Sequence, residues 1–218
     1  RREVERVLAA ALEDLSGTLE GEYYPLAASQ SFVGKPSGMT AAEESSLRSS
    51  GFLFQEPKDA MLLSMGFGRD WPDARGVFAC NDRGLAATIN EEDHVSLVAT
   101  AKGGDFKAAV ARLRGAERAL ALGVEQQGYR FVRSSRLGYL TAMPERLGTG
   151  LSVDVTLKLP QHILACADLA GLCTSVGLQL KRKLPGGSVE VVAKPTLGVS
   201  EAELLQATVE GCANLLIQ

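Results

Sequence analysis

Residues 76–89 read Gly-Val-Phe-Ala-Cys-Asn-Asp-Arg-Gly-Leu-Ala-Ala-Thr-Ile. Two five-residue apolar runs, 76–80 and 85–89, flank Asn81-Asp82-Arg83-Gly84. Asn, Asp and Gly tolerate the backbone of a tight reversal, so the spacing predicts a β-hairpin. Val95–Ala101 continues the pattern as a further strand, closed by Gly103-Gly104. Strands joined by tight turns lie antiparallel, which sets the class of fold.

The pattern outward from the hairpin is mixed. Residues 3–15 place Val4, Val7, Leu8, Ala11, Leu12 and Leu15 on one helical stripe, and Gly17 and Gly21 end it. Residues 29–51 read as a loop with a short helix near 40–49. Residues 105–122 repeat the helical period with Phe106, Ala109, Val110, Leu113, Ala116 and Leu120. Leu151–Leu159 alternates apolar and polar residues, as a half-buried strand does, and Pro160 stops it. A helix over 162–175 follows, then strands over 178–183 and 189–193 around Pro185-Gly186-Gly187-Ser188. Ser200 and Glu203 form a Ser-x-x-Glu capping box that opens a last helix over 201–217. Hairpin signals outnumber alternating βαβ units. The expectation is an α+β fold, a mostly antiparallel β-sheet flanked by α-helices, in a single domain over 1–218.

Composition narrows the function. The 218 residues are 45% hydrophobic and 22% charged, with a net charge of −3 and no basic block. Non-specific binding to a nucleic acid backbone is not expected, and no apolar run is long enough for a membrane span. The first residue is Arg1 and no signal-peptide pattern follows, so the chain reads as a fragment of a longer protein. Cys80, Cys166, Cys173 and Cys212 form no Cys-x-x-Cys pair and read as reduced thiols of a cytoplasmic protein. Cys166 and Cys173 are spaced for one helical face. His94 and His162 are the only histidines, so no protein-bound metal site is expected.

Two polar signatures bracket the hairpin: Arg69-Asp70-Trp71-Pro72-Asp73-Ala74-Arg75-Gly76 before it and Asn90-Glu91-Glu92-Asp93-His94 after it. Each has two readings. The acids of the second either orient a cation and take a proton, or are solvated side chains of a turn. In the first, Arg69, Asp70, Asp73 and Arg75 either serve chemistry or pair internally around a buried Trp71 as a salt-bridge corner. The glycine-rich spots at 103–104, 148–150 and 186–188 offer backbone N–H groups, but none matches a phosphate-loop fingerprint.

These signatures, with Gly21-Glu22-Tyr23-Tyr24-Pro25-Leu26, Gly51-Phe52-Leu53-Phe54, Leu137-Gly138-Tyr139-Leu140-Thr141, Leu147-Gly148-Thr149-Gly150 and Leu197-Gly198 in order, resemble the catalytic domain of the phosphagen (guanidino) kinases, the creatine kinase branch most of all. The resemblance implies an eight-stranded antiparallel sheet flanked by helices and preceded by a small helical domain. It implies transfer of the γ-phosphoryl of MgATP to a guanidino nitrogen. Glu92 then matches the substrate-orienting glutamate.

Other matched positions depart from the pattern. Ser96 and Ser152 stand where the resemblance implies arginines on the phosphates, and Met143 stands for a reactive cysteine. Gly51 stands for a histidine against the adenine, and Thr88 for an aromatic wall. Arg182 and Glu190 correspond to the arginine and the acid of a loop that is shorter here, with both assignments depending on where the gap falls. The resulting expectation is a degenerate guanidino phosphotransferase, a pseudoenzyme used as a structural or regulatory module with a protein partner or larger assembly. The alternative is an active ATP-dependent phosphotransferase on a small-molecule or protein guanidino group, with altered phosphate ligands.

Overall fold

The computed structural model describes residues 1–193 and 198–217, the side chain of Glu145 excepted. Leu197 of the Leu197-Gly198 match lies outside the described residues. The chain divides into two compact units, Arg1–Phe131 and Val132–Gln218.

In the first unit, β1 (Gly21–Pro25), β2 (Gly76–Cys80), β3 (Leu85–Ile89) and β4 (Val95–Ala99) form an antiparallel sheet in sequence order. The predicted hairpin is β2–β3, and all ten of its residues are buried. That explains why its two runs are continuously apolar instead of alternating: both faces are covered. One face packs Phe78, Cys80, Leu85, Ala87 and Ile89 against Leu8 and Leu12 of α1 (Arg2–Glu13) and Ala116, Leu120 and Val124 of α4 (Phe106–Gln126). The other packs Val77, Ala79 and Ala86 against Leu47 of α2 (Ala41–Ser49), Phe52 and Trp71.

β1 was not foreseen, because Gly17 and Gly21 read as helix stops. Residues 17–19 form one 3₁₀ turn instead, and Gly21 opens the strand. A Cβ on Gly21 would meet the carbonyl oxygen of Ala79 at 2.3 Å, so glycine permits the β1–β2 approach. A further short helix, α3 (Ala60–Ser64), is capped by Asp59, whose carboxylate accepts from the amides of Met61 and Leu62.

In the second unit, β5 (Arg133–Ser134) and β6 (Gly138–Tyr139) make a small hairpin. Then β7 (Asp154–Lys158), β8 (Leu178–Leu184) and β9 (Ser188–Ala193) form an antiparallel sheet in the order β7-β9-β8. Val189, Val191 and Ala193 of β9 face a core shared with Leu178, Ile163, Leu169, Leu204 and Leu215. The alternate residues Asp154, Thr156 and Lys158 of β7 are exposed. This one-sided burial is the alternation that the sequence displays.

The predicted helix over 162–175 is two helices, α5 (Gln161–Leu164) and α6 (Leu169–Ser175). Asp168 interrupts it, because its carboxylate accepts from the amide of Gly171 at 2.8 Å and starts a new N-terminus. Cys166 falls in the break, so it does not share a helical face with Cys173. Cys166 is exposed, while Cys80, Cys173 and Cys212 are buried, and all four are free. The Ser200 capping box opens α7 (Glu201–Leu216) as expected.

Both units are antiparallel sheet with flanking helices, the expected fold class. Among the described residues the ladders form four-, two- and three-stranded sheets.

Candidate active-site frame

The two polar signatures touch. Asn90 is buried at the end of β3, and its side-chain amide donates to the carbonyl oxygen of Ala74 at 2.7 Å and of Arg1 at 3.2 Å. Its backbone N–H closes the 90–94 turn on the carbonyl of His94. Because the Asn90 NH₂ is committed to donation, its Oδ1 accepts from His94 Nδ1, 3.0 Å away. Asn90 has φ 55°, a left-handed conformation that Asn adopts more readily than most residues. The turn that carries Glu91, Glu92 and Asp93 is therefore anchored to the end of the Arg69–Gly76 segment.

Arg75 organises that segment. It is fully buried, and its guanidinium donates to four carbonyl oxygens: Phe67 at 2.6 Å, Arg69 at 2.9 Å, Asp73 at 3.0 Å and Asp70 at 3.4 Å. It also lies 5.0 Å from the Trp71 ring centre. Burial, with the charge of Arg1 beside it, pulls its pKa down to about 10. This corrects the expected corner of internal salt bridges. Arg75 bonds backbone carbonyls, and Asp73 pairs outward with Arg2 at 3.3 Å and accepts from the amide of Gln30 at 2.9 Å. Trp71 is half-buried, not enclosed. Asp70 and Ala74 hold φ of 56° and 59°, so the turn presents its carbonyls inward at a conformational cost that the charged hydrogen bonds offset.

The other site residues divide between the units. In the first, Glu92 is half-buried in the turn between β3 and β4. Ser96, on β4, is the direct ladder partner of Thr88 on β3. Thr88 is buried, and its hydroxyl has no hydrogen-bond partner among the described residues. Gly51 follows α2 with φ 75°, its amide donating to the carbonyl of Arg48. It serves as a helix stop.

In the second unit, Met143 is buried and its carbonyl accepts from the Thr141 hydroxyl at 2.9 Å. Ser152 is exposed, two residues before β7. Arg182 and Glu190 are ladder partners on β8 and β9, joined by a hydrogen bond of 2.5 Å. A bulge between Leu180 and Arg182 leaves Lys181 outside the register. Lys181 lies 2.8 Å from Asp154 and 3.4 Å from Glu190. Burial alone would raise the Glu190 pKa, but the bond from Arg182 and the two cations outweigh it and hold the carboxyl below its usual range. The pairing continues the regular hairpin register Leu184–Ser188, Lys183–Val189 from the 185–187 turn, and the bulge lies beyond it.

Relatives decide the ancestry. A family model described as ATP:guanido phosphotransferase, C-terminal catalytic domain, matches residues 3–218. The chain belongs to this family. It is 37% identical to a lombricine kinase of Eisenia fetida over 227 aligned residues, covering 99% of the chain and 57% of the relative. A crystal structure of lombricine kinase superimposes with a TM-score of 0.88 at 34% identity, covering 100% of this chain and 58% of that one. The duplicated taurocyamine kinase of Schistosoma mansoni with bound transition-state analogue components superimposes with a TM-score of 0.82 at 30% identity, over 99% of this chain and 28% of that one. The chain thus spans about half the length of the lombricine kinases it matches. Among the described residues, no helix is long and apolar enough to cross a membrane, and no cluster of three or more His, Cys, Asp and Glu is arranged to hold a metal ion.

Proposed function

We propose that residues 1–218 are one guanidino-kinase catalytic domain whose phosphoryl transfer is impaired, and which serves a larger cytoplasmic protein or assembly as a structural or regulatory interaction module. The family model, running unbroken across both units, supports treating them as one domain. Four free thiols support a reducing compartment.

One observation carries the impaired reading. Ser96 and Ser152 bring no charge to positions that the family resemblance gives to phosphate-binding arginines, while Arg182 is tied to its ladder partner Glu190. Phosphoryl transfer depends on positioning and on positive charge around the phosphates. Each missing arginine removes about 2.7–4 kcal/mol of transition-state stabilisation. Two of them slow transfer by about four to six decades, with non-additivity trimming the sum. MgATP remains the nucleotide expected of the family, as a substrate and not as a resident cofactor.

The test is turnover of MgATP by the full-length protein with lombricine, taurocyamine, creatine or arginine. A rate within about tenfold of an active relative overturns the reading; recovery of rate in the Ser96→Arg/Ser152→Arg variant supports it.

A second reading, an active phosphotransferase on a guanidino group, is favoured by Lys181. The bulge leaves its ammonium 2.8 Å from Asp154, two residues beyond Ser152, and so sets a cation at the start of β7, close in sequence to the lost arginine position. That reading requires Glu92→Gln to abolish turnover, and unchanged turnover rejects it.

A further inference from the structure

The stretch 126–144 contains Arg130, Arg133 and Arg136 and no acid, in a chain of net charge −3. Within it, residues 132–140 of the second unit fold as the β5–β6 hairpin. Arg133 and Tyr139 are ladder partners, and the Arg133 guanidinium lies 5.4 Å from the centre of the Tyr139 ring. The ring holds the cation over its face without neutralising it. Arg136 is exposed at the turn. The Ser134 hydroxyl fixes that turn by accepting from the amides of Arg136 and Leu137 at 3.2 and 3.3 Å. Val132, Leu137 and Leu140 are 65, 43 and 46% exposed. The hairpin closes on itself through the amide of Leu140 and the carbonyl of Val132.

The Ser134 bonds and the Leu140–Val132 bond shape the hairpin, but its solvent-facing side chains are not part of a core. The exposed portions of Val132, Leu137 and Leu140 remain in water, and Arg133 and Arg136 set two exposed cations beside them. Such a surface gains only when something covers it. Exposed arginine and tyrosine with aliphatic neighbours make up the residue mix of protein interfaces.

Charge selects the occupant. Arginine forks pair with carboxylates through two parallel N–H···O bonds. Two cations on a hairpin are fewer than the four to eight that hold an anionic membrane. Two arginines and no basic block are too few phosphate contacts for a nucleic acid backbone.

We propose that this hairpin docks an extended acidic segment of a partner protein. Its carboxylates pair with Arg133 and Arg136, and its alternate apolar side chains cover Val132, Leu137 and Leu140. The inference rests on the interaction-module reading and names the partner's chemistry. It uses no residue assigned to the active-site frame.

The test is fluorescence anisotropy of the full-length protein with a labelled peptide of alternating Glu and Leu. A Lys-Leu peptide, phosphatidylserine vesicles and single-stranded RNA serve as competing probes. Saturable binding of the acidic peptide is expected, weakening at least about tenfold between low and high salt. The Arg133→Glu/Arg136→Glu variant abolishes it without lowering the melting temperature. Arg133→Ala alone weakens it about tenfold.

The proposal is overturned if the acidic peptide does not bind or if the double variant binds as the parent does. Equal binding of the Lys-Leu peptide, or tighter binding of vesicles or RNA, overturns it too. MgATP turnover measured on the same variants separates the two claims. An active enzyme rejects the impaired reading, whereas loss of peptide binding in the variant stands on its own.

Discussion

The side-chain amide of Asn90 donates to the carbonyl oxygen of Ala74 across 2.7 Å of buried space. This bond links the two most polar stretches of the chain, so the acidic turn at Glu92 depends on the Arg69–Gly76 segment for its position. The signatures are in part a construction: they hold a frame whether or not chemistry occurs inside it.

The first prediction concerns that bond. Asn90→Ala loses the bonds to Ala74 and Arg1 and also places alanine at φ 55°. A loss of about 2–4 kcal/mol in stability is expected. Asn90→Gly loses the same bonds without the backbone penalty, so it retains about 1 kcal/mol more. Urea denaturation of the three proteins checks the order; equal losses in both variants mean the left-handed backbone contributes nothing.

Arg75 gives the second. Its fork reaches four carbonyl oxygens, a geometry that an ammonium does not reproduce. Arg75→Lys is expected to lose about 2–3 kcal/mol, and Arg75→Met more, since buried carbonyls are then left without donors. Hydrogen exchange should show the damage concentrated at residues 66–75. Uniform loss of protection across the sheet contradicts the local role.

The third is a pH dependence. Glu5 is buried, accepts from the Tyr23 hydroxyl at 2.8 Å, and its pKa is raised, by burial above all. The nearby Asp73 adds to the rise, and hydrogen bonds from Ser31 and Tyr23 oppose it. The folded state therefore holds this proton more tightly than the unfolded chain does. The group's contribution is most favourable below the unfolded value, about 4.3. It is lost as the pH rises from there through the raised folded pKa. Glu5→Gln keeps an acceptor for Tyr23 without the ionisation. It should match the parent at pH 4 and exceed it at pH 7, by thermal melting; a constant difference across that range contradicts the assignment.

Thr88 supplies the fourth. Its hydroxyl is buried without a partner among the described residues, opposite Ser96. Valine has the same shape and no polar atom to desolvate, so Thr88→Val should stabilise the chain by about 1 kcal/mol. A destabilised variant would mean that the hydroxyl is bonded in solution.

Thr88 and Ser96 also show where reading along the chain stops. Each is visible as a separate departure, at positions where the family resemblance implies an aromatic residue and an arginine. That they face each other, and so form one local change on the sheet, emerges from the β3–β4 register. Arg182 and Glu190 are the opposite case: they continue the unbroken register Leu184–Ser188, Lys183–Val189, so the 185–187 turn brings them together and the bulge beyond them only sets Lys181 out of register. Asp168 could have been found, because an Asp three residues before Gly171 is a capping signal inside an apparently continuous apolar period.

Local chemistry was enough for much of the fold. Apolar periods of 3.6 and 2, the Asn81–Gly84 turn and the Ser200 box located α1, α4 and α7, the central hairpin and the antiparallel class, since each depends on residues a few positions apart. The spaced signatures likewise carried the family. Long-range packing settled the rest. It joined Asn90 to Ala74 and wrapped Arg75 in backbone carbonyls, where a salt-bridge corner was one of two readings. The physical reason is that a charge or amide has several acceptors within reach of its type, and which one it takes depends on where burial removes water.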